Sequence, residues 1–144
     1  MKKNNKGFTL VELIVVLVIL AILAAILTPA LLGYIDRARS EKDYSTAQTV
    51  RVAAQAMIDQ QYGDSTTYSI DTYNGTFTNT TKVGDIEYGK KVCGLAGVDP
   101  SVVTAFSFNY TKGIITSGSV TINGHVYLLK ETTTGNSSWS VSGN

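Results

Sequence analysis

One cysteine and one histidine in 144 residues exclude a disulfide framework, a four-ligand zinc site and a paired-histidine metal motif. Charge is scarce too: 16% of residues are charged, against about 25% in an average soluble domain. The net charge of +1 excludes both a strongly basic field for nucleic acid and an acidic tail. Lys90-Lys91 is the only basic pair beyond the first six residues, too little for a nucleic-acid site. Cys93 and His125 are the sole candidates for a nucleophile–base pair, and no local signature surrounds either. The chain therefore reads as a non-enzyme without a cofactor. Asp64, Asp71, Asp85, Glu87 and Asp99 lack the dense alternation of a calcium loop, so they read as solvated turn acids and no metal is expected.

What is present falls into three parts: a short basic head, a long apolar run, and a half rich in Thr, Ser, Gly, Asn and Tyr. Across residues 8–32 only Thr9, Glu12 and Thr28 carry side chains that can hydrogen-bond. A helix of about 20 apolar residues crosses the hydrocarbon core of a bilayer, so the run is long enough to span. Lys2, Lys3 and Lys6 precede it without an acid, which places the start of the chain on the cytoplasmic side and everything after Leu32 outside. A secretory signal fits less well, because its apolar region is only about 7–15 residues and its cut follows that region. Ala21, Ala24 and Ala25 imitate such a cut, and that reading stays as a minor alternative.

Glu12 is the anomaly. A carboxylate inside an apolar segment costs about 2.5–3.5 kcal/mol on insertion scales and is a functional candidate by default. One reading places it near the interface, about two turns from Lys6, where it reaches water. The sharper reading needs a positive partner, and no Lys or Arg in the run supplies one. A cut between Gly7 and Phe8 would. The new α-amino group at Phe8 lies one turn from Glu12 and can pair with Glu12 of a neighbouring chain. The same cut removes the lysines that tie the head to the cytoplasmic surface, so processing would switch on lateral assembly.

Gly7-Phe8-Thr9-Leu10-Val11-Glu12-Leu13 behind a Lys-rich leader resembles the class III signal of type IV pilins and related pseudopilins. The resemblance implies that a prepilin peptidase cuts after Gly7 and methylates Phe8, and that Glu12 aligns subunits through a neighbour's N-terminus. Pro29 matches the family's helix-bending proline. The match covers about the first quarter of the chain. It implies an α+β pilin fold and a structural subunit that forms a helical homopolymer. Its other partners would be the peptidase, an assembly platform protein and ATPases. It further implies a precursor in the cytoplasmic membrane and then an extracellular pilus serving adhesion, twitching motility or DNA uptake. The alternatives are a major pseudopilin of a type II secretion system or competence pilus, and a binding module on an uncleaved anchor. Many Gram-negative pilins close their C-terminal region with a disulfide. The resemblance is to a type IVa-like major pilin, and the single Cys93 departs from the disulfide pattern and points to a Gram-positive or otherwise disulfide-poor one.

The expected organisation is a leader at 1–7, a membrane and polymerisation helix at 8–32, its amphipathic continuation at 33–62 and a β-rich head at 63–144. Pro29 removes one helical hydrogen bond and should bend or locally melt the helix rather than end it; Gly33, one turn on, adds flexibility. The small residues of 21–30 suit close helix approach, or serve a plain anchor. Ala47, Val50, Ala54, Met57, Ile58 and Gln61 form one stripe on the continuation. Strands are predicted at 76–81, 105–111, 114–122, 126–132 and 138–141, with tight turns at Lys112-Gly113 and Asn123-Gly124. Asp99-Pro100 predicts a helical turn at 101–104. An antiparallel sheet of three to five strands should cover the stripe, giving an α+β domain. Cys93 should be a small buried apolar residue, and Tyr62, Tyr68, Tyr73, Tyr88, Tyr110, Tyr127 and Trp139 packing groups rather than an adhesive surface. The N-x-S/T sequons at Asn74, Asn79, Asn109 and Asn136 are as many as chance gives in so Asn- and Thr-rich a chain.

Cleavage and alignment use different atoms under this reading. Gly7→Val should leave an uncut precursor in the membrane. Glu12→Val should be cut normally yet accumulate little polymer. Intact mass and the yield of sheared fibre distinguish the two.

Overall fold

The computed structural model describes residues 7–64, 73–83, 86–130 and 138–142, and the chain divides into two compact units, Met1–Ser40 and Glu41–Asn144. A single helix, α1 (Leu10–Gly63), supplies elements of both. In the first unit every residue from 7 to 39 is exposed, and α1 is long and apolar enough to cross a membrane. It runs unbroken through Pro29 and Gly33. Beside Pro29, Thr28 Oγ1 donates to the Ala24 carbonyl at 2.6 Å, so the hydroxyl is satisfied within an apolar stretch.

In the second unit α1 buries Ala47, Val50, Ala53, Ala54, Met57 and Ile58. The expected stripe is there, with Ala53 added and Gln61 only half-buried. It packs with a five-stranded sheet, and the fold is α+β. The strands are β1 (Gly75–Thr78), β4 (Val103–Thr111), β5 (Ile114–Ile122), β6 (His125–Lys130) and β7 (Ser138–Val141), in that spatial order and antiparallel throughout. Between β1 and β4 the chain forms a two-stranded sheet, β2 (Lys82–Val83) and β3 (Ile86–Glu87), followed by the helix α2 (Tyr88–Ala96).

Both predicted hairpin turns hold. Lys112 and Gly113 have φ of 52° and 74°, and Asn123 and Gly124 have 51° and 84°, the two positive values that a tight I′ hairpin needs. Lysine is an uncommon choice there, and the neighbouring chain holds the turn. The Lys112 N–H donates to Asn74 Oδ1 at 2.7 Å and the Gly113 N–H to the Tyr73 carbonyl at 2.9 Å.

Three expectations need correction. The segment 101–104 is not helical: the Ser101 N–H reaches Asp99 Oδ1 at 2.8 Å, but only a turn follows. Val103 is already in β4, buried and paired with Ile122, so strand pairing takes the residues that a helical turn would need. The first strand is Gly75–Thr78 rather than 76–81, because the Thr81 N–H turns back to the Thr78 carbonyl at 3.0 Å. Strand β6 starts one residue early, at His125, and is described to Lys130; residues 131 and 132 lie outside the described residues. The helix α2 was not anticipated at all. Gly89 lets it approach β1's end so closely that a Cβ would collide with the Asn79 carbonyl. Gly97, at φ 64°, closes α2 through Gly97 N–H to Gly94 and Val98 N–H to Cys93, a Schellman motif.

The core joins α1's buried face to Phe77, Phe106, Phe108, Ile115, Val120, Ile122, Tyr127 and Leu129. Phe108 lies over Gly118, where an added Cβ would come within 2.5 Å of its ring. The aromatics pack as expected: Tyr62 on Tyr73, Tyr73 on Tyr110, Phe77 on Tyr88 and Tyr44 edge-on to Tyr127. Three polar ties join α1 to the sheet. The Tyr127 hydroxyl donates to Asp43 Oδ2 at 2.8 Å and Trp139 Nε1 to Gln48 Oε1 at 2.9 Å. Gln55 meets the β4–β5 turn from both ends of its amide.

Burial, and then the bond to Asp43, push the Tyr127 phenol from 10.0 up to about 12. A group whose folded pKa is raised stabilises the fold below its unfolded pKa and loses that contribution as pH rises through the folded one. Stability should therefore fall between pH 10 and about 12, and Tyr127→Phe should flatten that decline. Urea unfolding of the full chain in micelles across this range measures it.

Candidate functional site

The candidate site is the start of α1. Gly7, Phe8 and Thr9 precede the first helical residue, Leu10, and all are exposed. Helix N-termini leave N–H groups without partners, and here the chain supplies them locally. The Thr9 N–H and hydroxyl both donate to Glu12 Oε2, at 2.9 and 2.8 Å. In return Thr9 Oγ1 accepts the Glu12 N–H at 3.3 Å. This is a capping box, the reciprocal pairing of an N-cap Thr with a Glu three residues on. The Thr9-x-x-Glu12 spacing is visible in the sequence; the membrane cost of the carboxylate drew the reading to Glu12 alone.

The capping box alters the account of Glu12. Among the described residues the Glu12 carboxylate has no cationic partner, but it does not lack hydrogen bonds. Charge-assisted bonds of this kind are about twice as strong as neutral ones, which lessens the penalty of carrying the carboxylate next to an apolar run. Both bonds fall on Oε2.

The other candidates stay apart. Cys93 is buried in α2, its thiol pushed up by burial and then by the charge of Asp99. His125 is exposed at the start of β6. Among the described residues no hydrogen bond joins Cys93 to His125, and no group of three acids, histidines or cysteines could hold a metal. Asp71, Asp85, Tyr68 and Asn136 lie outside the described residues, as do Lys2, Lys3 and Lys6. Asp99 serves its turn, where the Ser101 N–H holds its carboxyl below the usual range. Asn109 bonds Thr76 and Ser117 on the neighbouring strands. Lys90 and Lys91 are exposed on α2, with Lys91 Nζ 5.8 Å from the Tyr88 ring centroid.

Residues 2–28 match the family model of the prokaryotic N-terminal methylation motif. The chain carries a prepilin-type N-terminus. That motif indicates a type IV pilin-like or pseudopilin-like protein, and the apolar helix behind it suits membrane anchoring. No curated protein and no solved structure matches the chain.

Thr9→Val removes one donor to Glu12 and the acceptor of its N–H. Loss of an N-cap costs about 1 kcal/mol, so amide exchange over residues 10–13 should quicken about five-fold in micelles. Thr9→Ser should keep the slower rate.

Proposed function

We propose that the chain is the structural subunit of a type IVa-like pilus, and a Gram-positive one in the absence of a second cysteine. A prepilin peptidase cuts after Gly7 and methylates Phe8. The mature chain stays in the cytoplasmic membrane with its N-terminus inward and its head outside, and is then drawn into a helical surface homopolymer. The carrying observation is the pairing of Glu12 with an apolar helix whose residues stand exposed from 10 to 39. In the membrane, lipid covers that surface; in the fibre, copies of the same helix do.

The capping box gives the alignment step a physical form. Oε2 is engaged by Thr9, and Oε1 is the oxygen that receives the methylated amine of a neighbour's Phe8. A subunit in the wrong register leaves that amine and Oε1 unpaired in an apolar setting, so correct stagger is favoured. Segment 8–32 forms the fibre core, 33–62 links it to the head, and Pro29 and Gly33 mark where the helix opens on packing. The platform protein and ATPases supply the work. A pseudopilin of a secretion or competence system shares this N-terminus and is the second reading; recovery of long fibres from wild-type cells at native expression favours the pilus.

The deciding measurement is the intact mass of protein sheared from the source cells. It should lack residues 1–7 and carry one added methyl. A full-length mass found only in the membrane would overturn the proposal and leave a head tethered by an uncut anchor.

A further inference from the structure

A peptide bond inside an α-helix is poorly placed for hydrolysis, because its carbonyl is held by the N–H four residues on. The apolar run begins at Phe8, so hydrophobicity alone does not stop α1 from starting there or earlier. Yet α1 starts at Leu10, and Gly7, Phe8 and Thr9 stand outside it. A Cβ at Gly7 would meet nothing within 4 Å, and Phe8 is 87% exposed. Among the described residues the first helical bond runs from the Leu13 N–H to the Thr9 carbonyl at 3.3 Å. None reaches the carbonyl of Gly7 or Phe8.

Thr9 sets that boundary. A helix begun earlier would bond the Glu12 N–H to the Phe8 carbonyl, but Thr9 Oγ1 accepts that N–H at 3.3 Å. A helix continued further back would also claim the Thr9 N–H, which instead donates to Glu12 Oε2 at 2.9 Å. The Thr9 hydroxyl donates to the same oxygen at 2.8 Å, and this fixes its own orientation. Both donors that a longer helix needs are therefore already engaged. Glycine is the poorest helix former after proline, so Gly7 opposes extension from the other side.

We propose that Thr9 is a positioning residue for the cut: its capping box fixes the helix start at Leu10 and so presents the Gly7–Phe8 bond as free backbone. The step is hydrolysis. Water adds to the Gly7 carbonyl carbon and the bond to the Phe8 nitrogen breaks. The hydroxyl of the water ends on the Gly7 carboxyl group and its proton on the Phe8 amine. Thr9 touches none of these atoms and acts through the backbone that it holds. Glu12→Val keeps the N–H at position 12 that Thr9 Oγ1 accepts, so the cap on which the cut depends survives that change. The inference rests on the reading that a peptidase cuts after Gly7.

The test uses the full-length precursor in micelles, with membranes of the source cells as the peptidase. Release of the leader, residues 1–7, is timed by mass spectrometry across precursor concentrations. A helix start left unfixed must be ordered on binding, which lowers the competent fraction of precursor and raises KM without altering kcat. Thr9→Val should raise KM about five-fold, the size of a lost N-cap, at unchanged kcat. Thr9→Ser and Thr9→Asn, both good caps, should restore the wild-type KM. Wild-type kinetics in Thr9→Val, faster cutting, or a fall confined to kcat would overturn the positioning role while leaving the cut itself in place. Rescue by Thr9→Ser without rescue by Thr9→Asn would overturn it too, because the peptidase would then read the hydroxyl directly. A wild-type precursor that is not cut after Gly7 removes the processing reading, and this inference with it.

Discussion

The constraint on which the molecule depends is an apolar helix surface that stands exposed from Phe8 to Leu32 in the first unit. Seventeen large apolar side chains between Phe8 and Leu32 are exposed, and each contributes about 1.5–3 kcal/mol when removed from water. The sum is on the order of tens of kcal/mol, more than the net stability of a typical domain. Such a chain must hold this segment in lipid or against other chains. Glu12 stands at the mouth of that segment, where a carboxylate without compensation is costly.

The capping box lowers that cost locally. Thr9 binds one carboxylate oxygen, orders the first turn and keeps the side chain near the chain's start.

The second unit solves a different problem, that of holding a sheet to a helix without a disulfide. Cys93 is buried and single, so the work falls to packing and to polar ties at Asp43, Gln48 and Gln55. These occupy α1 positions flanking the buried Ala47, Val50 and Ala54. The alanines let the helix approach the sheet closely, and the longer side chains reach across at its margins. Gly118 beneath Phe108 and Gly89 against Asn79 belong to the same economy of close approach.

The sequence by itself determined what local physics controls. The apolar run, the stripe on α1 and the turns at Lys112-Gly113 and Asn123-Gly124 all rest on periodicity, on backbone freedom or on contacts within four residues. The capping box was equally legible and passed unread. Tertiary structure decided the rest. Gly89 and Gly94 disfavour α2 locally; the helix exists because one glycine admits close packing and Gly97 closes its end. Val103 belongs to a strand because Ile122, distant in sequence, pairs with it. The neighbours of β1, the burial of Ala53 and the exposure of Val52, Leu95 and Ile114 were equally beyond local pattern. Each depends on which distant segment arrives alongside, and a single chain's periodicity does not encode that.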